Sequence, residues 1–127
     1  MKYYSLNRQS PIADFKEATI RGQAPDKGLY FPEQIPAISK EILENIEGFS
    51  NEEIAIEVIA PYVGDTIPKE ELQRIVSETI NFKFPLRQVS ENIFSLELFH
   101  GPTLAFKDVG ARFMARCLGY FLKNELY

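Results

Sequence analysis

The last helical stretch, KDVGARFMARCLGYFL at residues 107 to 122, sets the tightest limit on what this chain can fold into. Phe113, Cys117, Leu118 and Phe121 recur at helical spacing, and Val109, Met114 and Leu122 widen the apolar face beyond a single stripe. A helix apolar over so much of its circumference needs neighbours on more than one side. Little sequence follows it to provide that cover. The final forty-five residues therefore read as the opening of something larger.

The 127 residues suit one ordinary domain, with 45% hydrophobic and 25% charged residues. A net charge of −4 argues against nucleic acid or an anionic membrane as the main partner, because both call for a basic face. A phosphorylated small molecule stays open, since a few local cations suffice for it. The single cysteine, Cys117, lies inside the apolar helical pattern and reads as a buried thiol. One cysteine allows no internal disulfide framework and no thiolate zinc cluster, which fits a reducing compartment. MKYYSLNRQSPIAD lacks the apolar core of a signal peptide, and no run approaches a membrane span. These features read as cytoplasmic.

Along the chain, KYYSLN reads as a short strand. SPIADFKEATIRG reads as a helix capped by Ser10, with Pro11 at its first position and Gly22 as its stop. Turn chemistry around Pro25, Asp26 and Gly28 precedes a short strand at Leu29 to Phe31. Three helices follow. SKEILENIEG starts at Ser39 and stops at Gly48. SNEEIAIEVIAPYV opens on a Ser50–Glu53 capping box, presents Ile54, Val58, Ile59 and Tyr62, and is expected to kink or end at Pro61. PKEELQRIVSETIN carries the stripe Leu72, Ile75, Val76 and Ile80. From Asn92 to His100, Phe94, Leu96 and Leu98 alternate with Ser95 and Glu97, the pattern of a half-buried strand. The fold class is thus α+β or α/β: a mainly helical unit with short strands over residues 1–80, then strands and one helix over 81–127 that open a larger α/β domain.

Lys107 stands out in FHGPTLAFKDVGAR. A lysine near a helix start is ordinarily solvated. Here Leu104, Ala105, Phe106 and Val109 make the local surface apolar, the helix presents its positive end, and Gly101–Pro102 turn the chain just after a strand. A nucleophilic lysine must react as the free amine, whereas an ordinary lysine, with a pKa of ~10.4, is protonated at neutrality. A helix end supplies only ~0.3–1 kcal/mol toward that change, rising to about 2 in favourable geometry. Desolvation in a closed pocket must supply most of the rest. Asp108 opposes it unless the carboxylate turns back onto helix amides or pairs with Arg112.

GLYFPEQIP at 28–36 and ELFHGPTLAFKDVGARFMA at 97–115 resemble threonine synthase, and the order of segments from KYYSLN to the last helix follows that family over essentially the whole chain. The resemblance implies the N-terminal portion of a pyridoxal-phosphate enzyme of the fold-type II group, which includes tryptophan synthase β and threonine dehydratase. Under it, residues 81–127 begin the cofactor domain and leave it incomplete. It implies a lyase of threonine biosynthesis that converts O-phosphohomoserine and water to threonine and phosphate. Lys107 matches the lysine that holds the cofactor as a Schiff base and moves protons, and Phe106 matches a residue beside the cofactor ring. Family enzymes run to several hundred residues. The phosphate-cradling loop, the partner of the pyridine nitrogen and the closing strands are therefore not expected here. The chain alone is expected to be inactive and to lack the cofactor, with self-association through the 107–122 helix. The alternatives are a natural short binding module that keeps the N-terminal fold, and a related pyridoxal-phosphate lyase with another substrate.

Other side chains carry plainer readings. His100, the sole histidine, reads as a hydrogen-bonded structural residue, and no partners at metal-ligand spacing accompany it. Thr103 reads as a turn hydroxyl, Arg112 as the ion-pair partner of Asp108, and Glu52, Glu53, Glu70 and Glu71 as helix-start acids.

Overall fold

In the computed structural model, residues 1–123 are described. They form five α-helices and four short strands. Strand β1 (Tyr3–Ser5) pairs antiparallel with β2 (Tyr30–Pro32), with Tyr3 opposite Pro32 and Ser5 opposite Tyr30. Proline is tolerated there because each strand of a two-stranded ribbon keeps one free edge.

Helix α1 (Phe15–Arg21) starts later than Ser10 and Pro11 suggest. Tyr3 and Ala13 exchange both backbone hydrogen bonds, at 2.8 and 2.9 Å, which holds the chain extended up to Ala13. Asp14 then caps the helix by accepting from the Glu17 N–H, and Gly22, at φ 68°, ends it. Ser10 instead accepts from the Asp26 N–H.

Helix α2 (Lys40–Glu44) is capped by Ser39 as expected but ends at Asn45, with a 3-10 turn over Ile46–Gly48. Helix α3 (Asn51–Val63) shows both halves of the Ser50–Glu53 capping box. Ser50→Ala removes the hydroxyl that accepts from the Glu53 N–H but keeps the backbone N–H that donates to the Glu53 carboxylate, and it is expected to cost about 1 kcal/mol in urea melts, with an unchanged slope. Pro61 does not end this helix, which runs on to Val63. The residue sits in the last turn on an exposed face, where one lost hydrogen bond is tolerated. The buried face of α3 is also rotated from the expected one. Ala55, Ile56, Ile59, Ala60 and Val63 meet the core, while Val58 is 38% exposed.

Helix α4 (Lys69–Thr79) buries Leu72, Ile75 and Val76 as its stripe predicts. Thr79, which the pattern does not flag, is also buried, its hydroxyl donating to the Ile75 carbonyl at 2.6 Å. Helix α5 (Asp108–Lys123) brings Cys117 and Phe121 into the same cluster as Val63, Ile67, Leu72, Ile75 and Val76. Burial pushes the Cys117 thiol up to about 12. Phe15 of α1 closes one side of this core, its ring 6.2 Å from Phe121 and 6.5 Å from Phe113. The Tyr3 hydroxyl ties β1 to the end of α3 through the Tyr62 carbonyl at 2.7 Å.

Between α4 and α5 lies a hairpin, β3 (Leu86–Ser90) with β4 (Ile93–Leu96). The expected half-buried strand from Asn92 to His100 is shorter than its pattern and is exposed along its length. No described element covers its apolar face. Phe94 and Leu96 are over half exposed, as are Leu86, Val89 and Ile93.

Candidate functional site

The chain enters the candidate site from β4. His100 Nε2 meets Glu97 Oε2 at 2.7 Å, and its ring stacks on Phe99. Gly101 and Pro102 open a turn that Leu104 closes, its N–H donating to the Gly101 carbonyl at 3.1 Å. Leu104 adopts φ 59°, the left-handed region that costs a residue with a Cβ about 1–2 kcal/mol. The Asp108 N–H donates to Ala105, and the Lys107 carbonyl accepts the first helical bond of α5, from Ala111 at 2.8 Å. Lys107 thus stands at the head of α5.

Asp108 takes neither course expected of it. Its carboxylate reaches back to Thr103, accepting from both the backbone N–H, at 2.9 Å, and the hydroxyl. These bonds hold its pKa below the usual carboxylate range, against the opposing effect of desolvation. Arg112 adds a smaller attraction without forming an ion pair. Its guanidinium donates instead to the Glu78 carbonyl, at 2.6 Å, and lies over the Phe82 ring. One of its terminal nitrogens, Nη1, is buried without a hydrogen-bond partner. Glu78 also pairs with Arg116 at 2.9 Å and with Arg74 at 2.6 Å, so it links α4 to α5. Sequence patterning missed this junction because its charges lie far apart along the chain. Helix amphipathicity in α4 and α5 was the signal that their polar flanks meet.

Lys107 and Phe106 are both exposed, Phe106 at 64%. Among the described residues no carboxylate pairs with Lys107, and nothing encloses it. The desolvating pocket that Schiff-base chemistry requires is not supplied by these residues. An apolar cleft of about 280 Å³ opens beside the start of α5, between Ile59, Val76, Ile80, Val109 and Phe113. No described group of three or more His, Cys, Asp or Glu side chains is placed to hold a metal.

An exposed amine at the head of a helix, with an aromatic side chain beside it, fits a covalent anchor for a carbonyl cofactor. The described residues leave that amine without an enclosure. The family profile described as "Threonine synthase N terminus" matches residues 2–80. The threonine synthase of Pseudomonas aeruginosa is 37% identical over 98% of this chain and 28% of its own length, and that of Escherichia coli is 36% identical over 98% and 29%. A crystal structure of PLP-bound threonine synthase from Brucella melitensis superposes with a TM-score of 0.91, at 40% identity, over 98% of this chain and 28% of that one. The E. coli threonine synthase structure gives a TM-score of 0.88 at 34% identity. The chain spans under a third of the length of these relatives. A profile matching more than half of its residues, carried on a closely superposable backbone, makes this chain a member of the threonine synthase family, corresponding to its N-terminal part.

Proposed function

We propose that this chain contributes the cofactor-bearing lysine of a pyridoxal-phosphate-dependent threonine synthase, a lyase that converts O-phosphohomoserine and water to threonine and phosphate. The observation that carries the reading is the placement of Lys107 at the head of α5, in a backbone that superposes on a PLP-bound relative. Lys107 holds the cofactor through Nζ and moves protons at that atom during elimination. Phe106 flanks the cofactor ring. When bound, pyridoxal phosphate supplies the electron sink that such an elimination needs. Residues 1–80 form the N-terminal unit and 81–127 open the fold-type II cofactor domain, with α5 shared between them through Cys117 and Phe121. The enzyme is cytoplasmic, which a buried and unpaired Cys117 supports.

The 127 residues alone are inert, because Lys107 stands in solvent and electrostatic control of the cofactor needs an enclosing pocket. They self-associate through the uncovered side of α5, where Met114 and Leu122 are exposed. The test is a chimera joining residues 1–127 in register to the remainder of E. coli threonine synthase. It is expected to release phosphate from O-phosphohomoserine, and Lys107→Ala is expected to reduce release to background. The 127-residue chain is expected to release none. Borohydride reduction of the chimera with pyridoxal phosphate should label Lys107. Labelling at another lysine, or activity retained in Lys107→Ala, overturns the assignment.

A further inference from the structure

Asp108 is the only buried carboxylate among the described residues, at 4% exposure, and it adjoins the lysine. Burying a carboxylate is costly unless its oxygens are satisfied. Here both are used, Oδ2 by the Thr103 N–H and Oδ1 by the Thr103 hydroxyl. Gly101 makes room for this contact, since a Cβ there would overlap Oδ2 and lie 2.8 Å from the Asp108 Cβ. The latch spans the turn that carries Leu104 at positive φ. A left-handed leucine, itself 75% exposed, has no packing of its own to hold it. Strain of this kind persists where surrounding bonds fix the backbone.

We infer that Asp108 is a positioning residue for Lys107: by gripping Thr103 through backbone and side chain, it locks the turn over residues 101–107 and fixes where the amine leaves the head of α5. The same grip keeps the carboxylate from serving as a counter-ion to Lys107. The inference rests on Lys107 being the reacting amine.

The test is trace acylation of the 127-residue chain with acetic anhydride at one near-neutral pH, with Lys107 read against the other seven lysines by peptide mapping. Asp108→Asn removes the charge and weakens the grip. Thr103→Val keeps the charge and removes one bond of the grip. Loss of position moves the Lys107 amine away from the positive end of α5, so both variants are expected to lower its relative acylation about threefold, the scale of a helix-end effect. Thr103→Ser is expected to behave as the parent. A change in Asp108→Asn alone marks a simple charge effect and overturns the inference, as does no change in either variant. Cys117, unreactive to thiol reagents while the core is intact, reports folding of each variant. If Asp108→Asn exposes it, Thr103→Val with its Thr103→Ser control decides the matter. No cofactor is present, so the result is independent of whether the chimera assay succeeds.

Discussion

Phe121→Ala is expected to destabilise the chain by about 3–5 kcal/mol, a large part of the ~5–15 kcal/mol that holds an ordinary domain together. Phe121 is 2% exposed and sits where α5 meets three other helices. Its ring packs edge-on against Phe15 of α1, and its neighbours in the core come from α3 and α4. Truncation removes apolar surface from water and leaves a cavity that a close-packed junction cannot fill by relaxing. Urea unfolding should show the midpoint falling sharply with an unchanged slope. Leu86→Ala, at 62% exposure on the hairpin, should move it by no more than about 0.5 kcal/mol. A Phe121→Ala loss below about 1 kcal/mol would mean that α5 is not seated on the helical core as described.

Gly28→Ala is expected to cost about 1–3 kcal/mol through overpacking. Any Cβ at residue 28 overlaps the Ser5 hydroxyl and lies 2.9 Å from the Asn7 backbone nitrogen. Ser5 is fully buried, and its hydroxyl donates to Asp26 Oδ1 at 2.6 Å. Asp26 also accepts from the Gly28 and Gln9 amides, both at 2.9 Å, so one carboxylate fastens β1 to the turn before β2. The Ser5 bond, with help from those amides, lowers the Asp26 pKa to about 2 from its ordinary 3.8. The sign follows from that depression: the folded state favours the ionised form, so the contribution is full above pH 3.8 and is lost as the pH falls toward 2. Acid titration of stability should therefore show a loss in that window in the parent and a smaller one in Gly28→Ala. Equal acid losses in both would contradict the fastening role.

The helices were legible because their signals are local. Ser39, the Ser50–Glu53 box and the Leu72–Ile75–Val76 stripe each act within a turn or two of their own helix. The start of α1 was not, because the Tyr3–Ala13 bridge that delays it joins residues ten apart. Pro61 misled for a related reason: a breaker's effect depends on its distance from a helix end that sequence alone does not fix. The alternation from Asn92 to His100 identified a strand but not its burial, since burial depends on an opposing layer and none is described. At the candidate site, Lys107 was singled out by its setting, whereas the Asp108–Thr103 grip was invisible. Nothing in GPTLAFKD distinguishes a carboxylate turned backward onto a threonine from one turned forward to Arg112.

The seating of α5 has a consequence in the order of synthesis. Val63, Ile67, Leu72, Ile75 and Val76 leave the ribosome well before Cys117 and Phe121, and residues 81–107 add nothing to the cluster between them. For that interval the inner faces of α3 and α4 are uncovered, in a chain already able to form those helices. The partners that finally cover them lie about forty positions downstream, and closing a loop of that length is an entropic step that local helix formation does not offset. The nascent chain is therefore most prone to aggregate after its helices have formed and before its last helix arrives.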